Sequence, residues 1–229
     1  MKEEDAGSPR SRLCVVKITT NGPYVVSGGV PLAEQTICAD DDGQPHGWRE
    51  DRRYPAQESY TLCRCGHSLR RPYCDGSHTR IEFDGTETAP DIPYLEQAAE
   101  YDGPDLRLTD AELYCAGAGF CHRAGGTWRL TRDSADPEAR QTAIEEACEC
   151  PSGRLVAWGR DGRAIEPEFE PSIGLVEDTQ GKKNGPIWVR GGIPVESSGG
   201  ETYEVRNRVT LCGCGRSSNK PFCDGSHED

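Results

Sequence analysis

The sequence predicts an α+β fold that is mainly β, rich in loops and stapled by bound metal. Only 34% of the 229 residues are hydrophobic and 7% aromatic, so the apolar core is lean for a chain of this length. The 27 glycines and 16 prolines favour turns over long regular elements. Twelve cysteines supply ligands that can compensate for a small core. Because one long stretch occurs twice, we expect two related halves with a different module between them.

The strands of the two halves are predicted by a short repeat. A charged segment over 1–11 is predicted to be a disordered tail, and a β-prone run follows from Cys14. Residues 22–32 read GPYVVSGGVPL and residues 185–195 read GPIWVRGGIPV, with six of eleven positions identical. Each copy predicts a strand and a glycine turn. We therefore assign 12–89 to the first half and 179–229 to the second, and predict that their strands share one β structure.

The first half contains an extra segment. There, 41 residues separate Gly22 from Cys63, against 27 between Gly185 and Cys212. We place the surplus within 39–54. Three successive aspartates at 40–42 allow either a weak cation site or a solvated loop.

The middle of the chain is predicted to be an α+β module over 105–178, after a proline-rich linker over 90–104. Thr109 and Glu112 have the spacing of a capping box, which predicts a short helix. Asp136 followed by Pro137 predicts the start of a second helix that extends to about Ala147. Two short runs, 155–158 and 163–165, flank the turn sequence GRDG over 159–162 and predict a hairpin.

Composition and charge exclude several classes of function. The net charge of −13 disfavours nucleic acid and anionic membranes as partners. The acidic N-terminal residues do not resemble a signal peptide, and no apolar run is long enough to span a membrane. The cysteines then fit metal binding in a reducing compartment, and we expect a cytoplasmic protein. No nucleophile–base pair or phosphate-binding loop indicates an enzyme.

The long repeat carries the candidate metal ligands. Residues 62–78 read LCRCGHSLRRPYCDGSH and residues 211–227 read LCGCGRSSNKPFCDGSH, with 11 of 17 positions identical. An extended Cys-x-Cys lets two thiolates reach one metal, and Cys-x3-His places a thiolate and an imidazole on one face of a helical turn. Such a set suits either structural zinc or an iron–sulfur cluster, and the spacing leaves both open. The candidates are Cys63, Cys65, Cys74 and His78 in the first copy and Cys212, Cys214, Cys223 and His227 in the second.

Both copies fit the pattern C-x-C-x2-[ST]-x3-P-x-C-D-G-[STA]-H, and the chain therefore resembles the CDGSH (NEET-type) iron–sulfur proteins. The resemblance implies one [2Fe–2S] cluster in each copy. It implies that Cys63 and Cys65 hold one iron and that Cys74 and His78 hold the other, with the equivalent pairs in the second copy. It also implies that the two halves form a pseudo-symmetric pair within one chain, so that the protein is a monomer.

A third site is indicated in the middle module. The spacing Cys-x5-Cys from Cys115, together with Cys150-Pro-Ser-Gly, resembles a divergent single-cluster ferredoxin domain. The resemblance implies a third cluster, [3Fe–4S] or [4Fe–4S]; structural zinc and free buried cysteines are the alternatives. Cys14 and Cys38 are interpreted as packing residues. The candidate ligands are Cys115, Cys121, Cys148 and Cys150, with His122 as a substitute for one of them.

The ligand set predicts one-electron chemistry. A cluster with three thiolates and one imidazole is less negative than one with four thiolates and accepts an electron more readily. We therefore expect a non-enzymatic electron carrier that meets a reductase and an acceptor. The alternatives are transfer of the cluster to an apo iron–sulfur acceptor, redox or pH sensing through the histidine, and a structural zinc module for interactions. The basic residues Arg70, Arg71 and Lys220 beside the ligands are either tuning charges or simply solvated ones.

Overall fold

The computed structural model describes residues 14–177 and 185–228, and the predicted tail over 1–11 lies outside them. The fold is α+β and mainly β, as predicted, with short strands in three sheets and few helices. The strands are β1 (Val15–Ile18), β2 (Tyr24–Ser27), β3 (Leu32–Ala39), β4 (Pro45–Arg53), β5 (Ser59–Leu62), β6 (Ala99–Asp102), β7 (Arg107–Asp110), β8 (Leu155–Trp158), β9 (Ala164–Ile165), β10 (Ser172–Glu177), β11 (Ile187–Arg190), β12 (Val195–Glu196) and β13 (Arg208–Leu211). The α-helices are α1 (Ser77–Arg80), α2 (Tyr94–Gln97), α3 (Thr127–Arg132) and α4 (Pro137–Glu149).

The two halves exchange strands. The first sheet has the order β12-β1-β2-β5, and the second has the order β13-β11-β10-β3-β4. In the first sheet β12 pairs in parallel with β1, with Val195 opposite Val16. In the second sheet β3 pairs in parallel with β10, with Leu32 opposite Ile173. Because Leu32 and Val195 are equivalent in the repeat, the two exchanges are related by pseudo-two-fold symmetry. The prediction that strands of both halves share one β structure is confirmed.

The strand β10 is the second-half counterpart of β1. It pairs antiparallel with β11, as β1 pairs with β2. It lies within 105–178, the range that the sequence analysis assigns to the middle module. The apolar core between the two sheets is formed by alternate residues of both halves, including Val26, Ile173, Val189 and Leu211, all almost fully buried. Burial of this shared face makes each half part of the other's core.

The extra segment of the first half forms the hairpin of β3 and β4. Its turn is closed by Asp40, whose carboxylate accepts from the Asp42 and Gln44 amides at 3.0 and 2.8 Å. The three aspartates at 40–42 are exposed, as expected of a solvated loop. Trp48 on β4 packs on Trp188 at 4.6 Å between ring centroids and on Phe120 at 5.2 Å. The hairpin therefore joins the second sheet to the middle module.

The middle module has its own sheet, ordered β6-β7-β8-β9, against which α3 and α4 pack. Asp136 caps α4 by accepting from the Glu138 amide at 3.3 Å, and β8 and β9 form the predicted hairpin. The predicted capping box at Thr109 is wrong. Thr109 pairs within β7, and its hydroxyl lies 2.9 Å from that of Tyr94. Strand pairing on both sides keeps this residue extended, and a single 3-10 turn, Glu112–Tyr114, follows it.

Arg208 of the second half anchors the C-terminal end of α4. Its guanidinium is buried and donates to the carbonyls of Ala147 and Cys150, both at 2.8 Å. A cation at this end also opposes the negative pole of the helix dipole. Across residues 14–177 and 185–228, no helix has the length and apolarity needed to traverse a bilayer.

Candidate metal centres

In the first copy, the inner pair of predicted ligands directly follows β5. The chain leaves the strand at Leu62, and Cys63 and Cys65 point the same way with their Sγ atoms 3.8 Å apart. Two thiolates on one tetrahedral metal, each at about 2.3 Å, would be about 3.8 Å apart. The pair is therefore spaced to hold one metal atom.

The outer pair is formed by a single helical turn. Gly76 adopts a left-handed conformation at φ 84° and starts α1, which carries His78. This places His78 Nδ1 3.4 Å from Cys74 Sγ, close to the spacing of about 3.5 Å for a thiolate and an imidazole on one tetrahedral metal. The Gly76 amide also donates to Cys74 Sγ at 3.4 Å.

Hydrogen bonds close the loop between the two pairs. Ser68 Oγ donates to the Tyr73 carbonyl at 2.6 Å, and the Arg71–Pro72 peptide is cis. The Asp75 carboxylate accepts from the amides of Leu69 and Ser77, both at 2.9 Å. Hydrogen bonds from Ser77 and the Leu69 amide hold the pKa of Asp75 well below its usual range. Hydrogen bonds within the protein thus fix the path of this loop.

The second copy repeats this geometry. The Sγ atoms of Cys212 and Cys214 are 3.7 Å apart, and Cys223 Sγ lies 3.4 Å from His227 Nδ1. Ser217 Oγ donates to the Phe222 carbonyl at 2.7 Å, as Ser68 does in the first copy. The Asp224 carboxylate accepts from Ser218 and Ser226; although burial opposes it, these bonds lower the pKa of Asp224.

The ligands in both copies are therefore arranged as pairs. Within the described part of the chain, no group of three or more His, Cys, Asp or Glu side chains is placed to hold one metal ion. In each copy, two pairs of predicted ligands have the spacing of ligands on one metal atom. Soft thiolates with one imidazole suit an iron–sulfur cluster and zinc alike.

The two ligand loops touch each other around two equivalent glycines. A Cβ atom added to Gly66 would collide with the Cys214 carbonyl, and one added to Gly215 would lie 2.7 Å from the Cys65 oxygen. Both glycines have φ of 81°. The contact is reciprocal, as expected of a two-fold interface. The two inner ligand pairs consequently lie on either side of one backbone contact.

A buried polar pair also bridges the copies, and it was not predicted. The Tyr24 hydroxyl of the first half donates to the carbonyls of Cys212 and Pro221 at 3.0 and 3.1 Å. Burial is the main cause that raises the pKa of Tyr24. The guanidinium of Arg64 lies 5.5 Å from the Tyr24 ring centroid and donates to the Gly85 carbonyl at 2.6 Å. Arg64 is 2% exposed, and the second copy has Gly213 in its place, so the bridge is asymmetric.

In the middle module, three of the four predicted cysteines converge. Cys115 follows the 3-10 turn, Cys121 lies in the next 3-10 segment and Cys150 directly follows α4. All three line one cavity of about 30 Å³. Burial, with the neighbouring thiols of Cys150 and Cys115, raises the pKa of Cys121 to about 12. The three thiols therefore share one small cavity.

The other two candidates lie outside this cavity lining. The Cys148 thiol donates to the Ile165 carbonyl at 3.6 Å, and the His122 ring lies 5.6 Å from the Trp128 ring. The cavity is also lined by Arg154, which sequence reasoning missed. Arg154 makes a bidentate ion pair with Asp110 at 2.5 and 3.0 Å, and this pairing raises its pKa.

The middle cavity adjoins the second ligand loop. A Cβ atom on Gly225 would lie 3.3 Å from the Cys115 carbonyl, and one on Gly117 would collide with Glu228. The rings of Tyr114 and Phe222 meet edge to face at 5.0 Å. The three ligand sites thus follow one another through backbone contacts, with the second copy in the central position.

Comparison with protein families agrees with this architecture. A family described as iron-binding zinc finger, CDGSH type, matches residues 21–79 and 184–228. A family described as divergent 4Fe-4S mono-cluster matches residues 101–160. The comparison with curated proteins found no match. The chain therefore carries two domains of the CDGSH-type iron-binding family, with one domain of the divergent 4Fe-4S mono-cluster family between them.

Proposed function

We propose that the protein is a one-electron carrier with two [2Fe–2S] clusters, each held by three cysteines and one histidine. The observation that carries the proposal is the duplicated two-by-two arrangement of ligands. Cys63–Cys65 and Cys74–His78 would hold the two irons of the first cluster, and Cys212–Cys214 and Cys223–His227 those of the second. Each cluster, when bound, takes up and releases a single electron. Electron transfer of this kind requires no bond-forming step on a substrate, so the proposed role is non-enzymatic.

A third iron–sulfur cluster in the middle module belongs to the same proposal. Cys115, Cys121 and Cys150 would be its ligands, because they line one cavity. Three protein ligands suit a [3Fe–4S] cluster, or a [4Fe–4S] cluster with one iron held by another group. With the reciprocal contact at Gly66 and Gly215 and the contact at Gly225, the three centres would form a relay. The residues of the chain would position the clusters, donate backbone amides to the thiolates and partly exclude water.

The first test is the metal and sulfide content of protein purified without oxygen, together with its visible and EPR spectra. We expect about seven iron atoms per chain with a [3Fe–4S] centre, or about eight with a [4Fe–4S] centre, and a rhombic [2Fe–2S] signal after reduction. About four iron and four sulfide would leave the two [2Fe–2S] clusters and refute the third. A colourless protein loaded with zinc would refute the iron–sulfur proposal and favour a structural module.

Cluster transfer is a second candidate, because the outer ligands of the first copy are only half-buried. Cys74 and His78 are both partly exposed, whereas in the second copy Cys223 is buried and His227 is partly exposed. A partly exposed thiolate–imidazole pair can be displaced by an incoming thiol. Incubation with an apo-ferredoxin distinguishes the two: reversible reduction with retained iron supports electron transfer, and growth of the ferredoxin spectrum supports cluster transfer.

A further inference from the structure

The two copies differ in what covers their outer ligands. In the second copy, Cys223 is 2% exposed because the middle module lies over it. Asn219 Nδ2 donates to the Leu113 carbonyl at 2.9 Å, and the amides of Thr88 and Ala89 donate to the Lys220 carbonyl at 2.7 and 2.8 Å. The second ligand loop is thus tied to both the end of the first half and the middle module.

The first ligand loop presents an apolar tip to solvent. Leu69 is 89% exposed, and the second copy has Ser218 at this position. The Asp75 carboxylate binds the amides of Leu69 and Ser77, so the tip lies beside the first turn of α1. Leu69 is therefore an exposed leucine next to the half-buried predicted ligands Cys74 and His78.

The charge around this tip is opposite to that of the whole molecule. Residues 67–80 contain three arginines and one carboxylate, whereas residues 216–229 contain two basic and three acidic residues. Arg70 and Arg80 are exposed, and the one carboxylate, Asp75, is engaged with backbone amides. The net charge of the chain is −13. The first ligand loop is therefore a basic region on an acidic protein.

We propose that Leu69, Arg70 and Arg80, with the half-exposed edge of Cys74 and His78, form the docking surface for an acidic redox protein. We name these five residues the first-loop surface. The arginines attract and orient an acidic face, and Leu69 supplies the apolar contact at its centre. The inference rests on the proposed function, since it needs a redox-active cluster in the first copy. It assigns exchange with the partner to the first centre, whose outer cysteine is partly exposed where Cys223 is buried.

The way in which the electron-transfer rate changes with salt shows whether this local charge or the net charge of the chain dominates the reaction. At distances beyond the Debye length, of about 10 Å at 0.1 M salt, exposed charges are largely screened. If the net charge of −13 dominates, an anionic oxidant reacts faster as salt increases. If the first-loop surface dominates, the same oxidant reacts more slowly as salt increases.

The experiment uses full-length protein whose iron and sulfide content has been measured. The reduced protein is mixed with hexacyanoferrate(III), which takes one electron and becomes hexacyanoferrate(II), from about 10 mM to about 300 mM ionic strength. Tris(phenanthroline)cobalt(III) is the cationic counterpart. The variant is Arg70→Gln. Its matched control is Arg163→Gln, which removes the same charge from a side chain 88% exposed on the β8–β9 hairpin.

We expect the hexacyanoferrate rate to fall with salt, to drop about threefold at low salt in Arg70→Gln, and to stay unchanged in Arg163→Gln. A rate that rises with salt, or equal effects of the two variants, would overturn the proposal. A low iron and sulfide content would instead refute the proposed function itself. Competitors identify the partner class: polyglutamate should slow the reaction in the wild type and less so in Leu69→Ser. Stronger competition by oligothymidylate or by phosphatidylserine vesicles would overturn the assignment to an acidic protein.

Discussion

At the scale of single residues, the ligand loops are held by carboxylates whose charge persists in mild acid. Hydrogen bonds from Ser77 and the Leu69 amide keep the pKa of Asp75 below its usual range. A carboxylate with a depressed pKa contributes stability above its ordinary pKa of about 3.9 and loses it only as the pH falls through the folded value. Between pH 7 and pH 5 the loop bonds are therefore intact. In the proposed clusters, the histidines would be the ligands that acid displaces, because only neutral imidazole binds iron.

Acid should consequently release the clusters through His78 and His227. We expect the visible absorbance to decay within minutes to hours at about pH 5 and to persist at about pH 8. The double variant with cysteine at positions 78 and 227 should retain its absorbance at the lower pH and show lower reduction potentials, because a fourth thiolate adds negative charge. Stopped-flow absorbance after a pH jump tests this. Equal decay of wild type and variant would place the acid-sensitive group elsewhere.

Tyr24 should matter more to the second cluster than to the first, although it belongs to the first half. Tyr24→Phe removes the donor from the Cys212 and Pro221 carbonyls and should cost about 1–2 kcal/mol. Tyr60→Phe is the matched control, since its hydroxyl bonds only the Val30 carbonyl of its own half. Iron release to a chelator should accelerate for about half of the [2Fe–2S] iron in Tyr24→Phe. Acceleration in Tyr60→Phe to the same extent would contradict this role.

The pairing of the candidate ligands could be predicted from sequence, whereas the hydrogen bonds between the two copies could not. Both Cys-x-Cys and Cys-x3-His pairs are local, and their spacing alone fixes which atoms can meet. Tyr24 and Cys212 are 188 positions apart, and no local pattern connects them. Gly66 and Gly215 carried a usable signal, because the glycine after each Cys-x-Cys is identical in both copies.

At the scale of elements, the β3–β4 hairpin positions the middle module through side-chain packing. Its indole at Trp48 contacts Trp188 and Phe120, and Nε1 donates to the Glu149 carbonyl at 3.1 Å. Phe120 immediately precedes Cys121, so this packing reaches the middle cavity. The position of the surplus residues could be predicted from the sequence. Their packing partners could not, since Trp48 contacts residues more than 70 positions away. The helix α4 was predictable, because its cap and proline are local signals.

Trp48→Ala should therefore release the middle cluster while the two [2Fe–2S] clusters remain. We expect a loss of about 2–3 kcal/mol in stability, less than for a fully buried tryptophan because Trp48 is half-buried. Trp48→Phe keeps a ring at this site and loses only the hydrogen bond to Glu149, so it should retain most of the third cluster. Low-temperature EPR with iron analysis distinguishes them. Loss of [2Fe–2S] signal in Trp48→Ala would refute the separation of the sites.

At the scale of the whole molecule, the reciprocal glycine contact holds the halves together. Gly66→Ala adds a left-handed backbone strain of about 1–2 kcal/mol and a collision with the Cys214 carbonyl. Gly43→Ala is the matched control: its φ of 78° gives similar strain, and nothing lies within 4 Å of the added atom. We expect Gly66→Ala to be destabilised by about 2 kcal/mol more than Gly43→Ala in chemical unfolding. Equal losses would mean that the two loops do not press on each other.

The exchange of β3 and β12 also bears on the order of events during synthesis. The N-terminal half leaves the ribosome while one of the two strands that pair with β1 is still untranslated, since β12 begins at Val195. Elongation at about 5–20 residues per second leaves β1 without this neighbour for many seconds. The first sheet is completed only after β12 has been synthesised. A nascent chain that lacks β12 would therefore expose one edge of β1 to pairing with other chains.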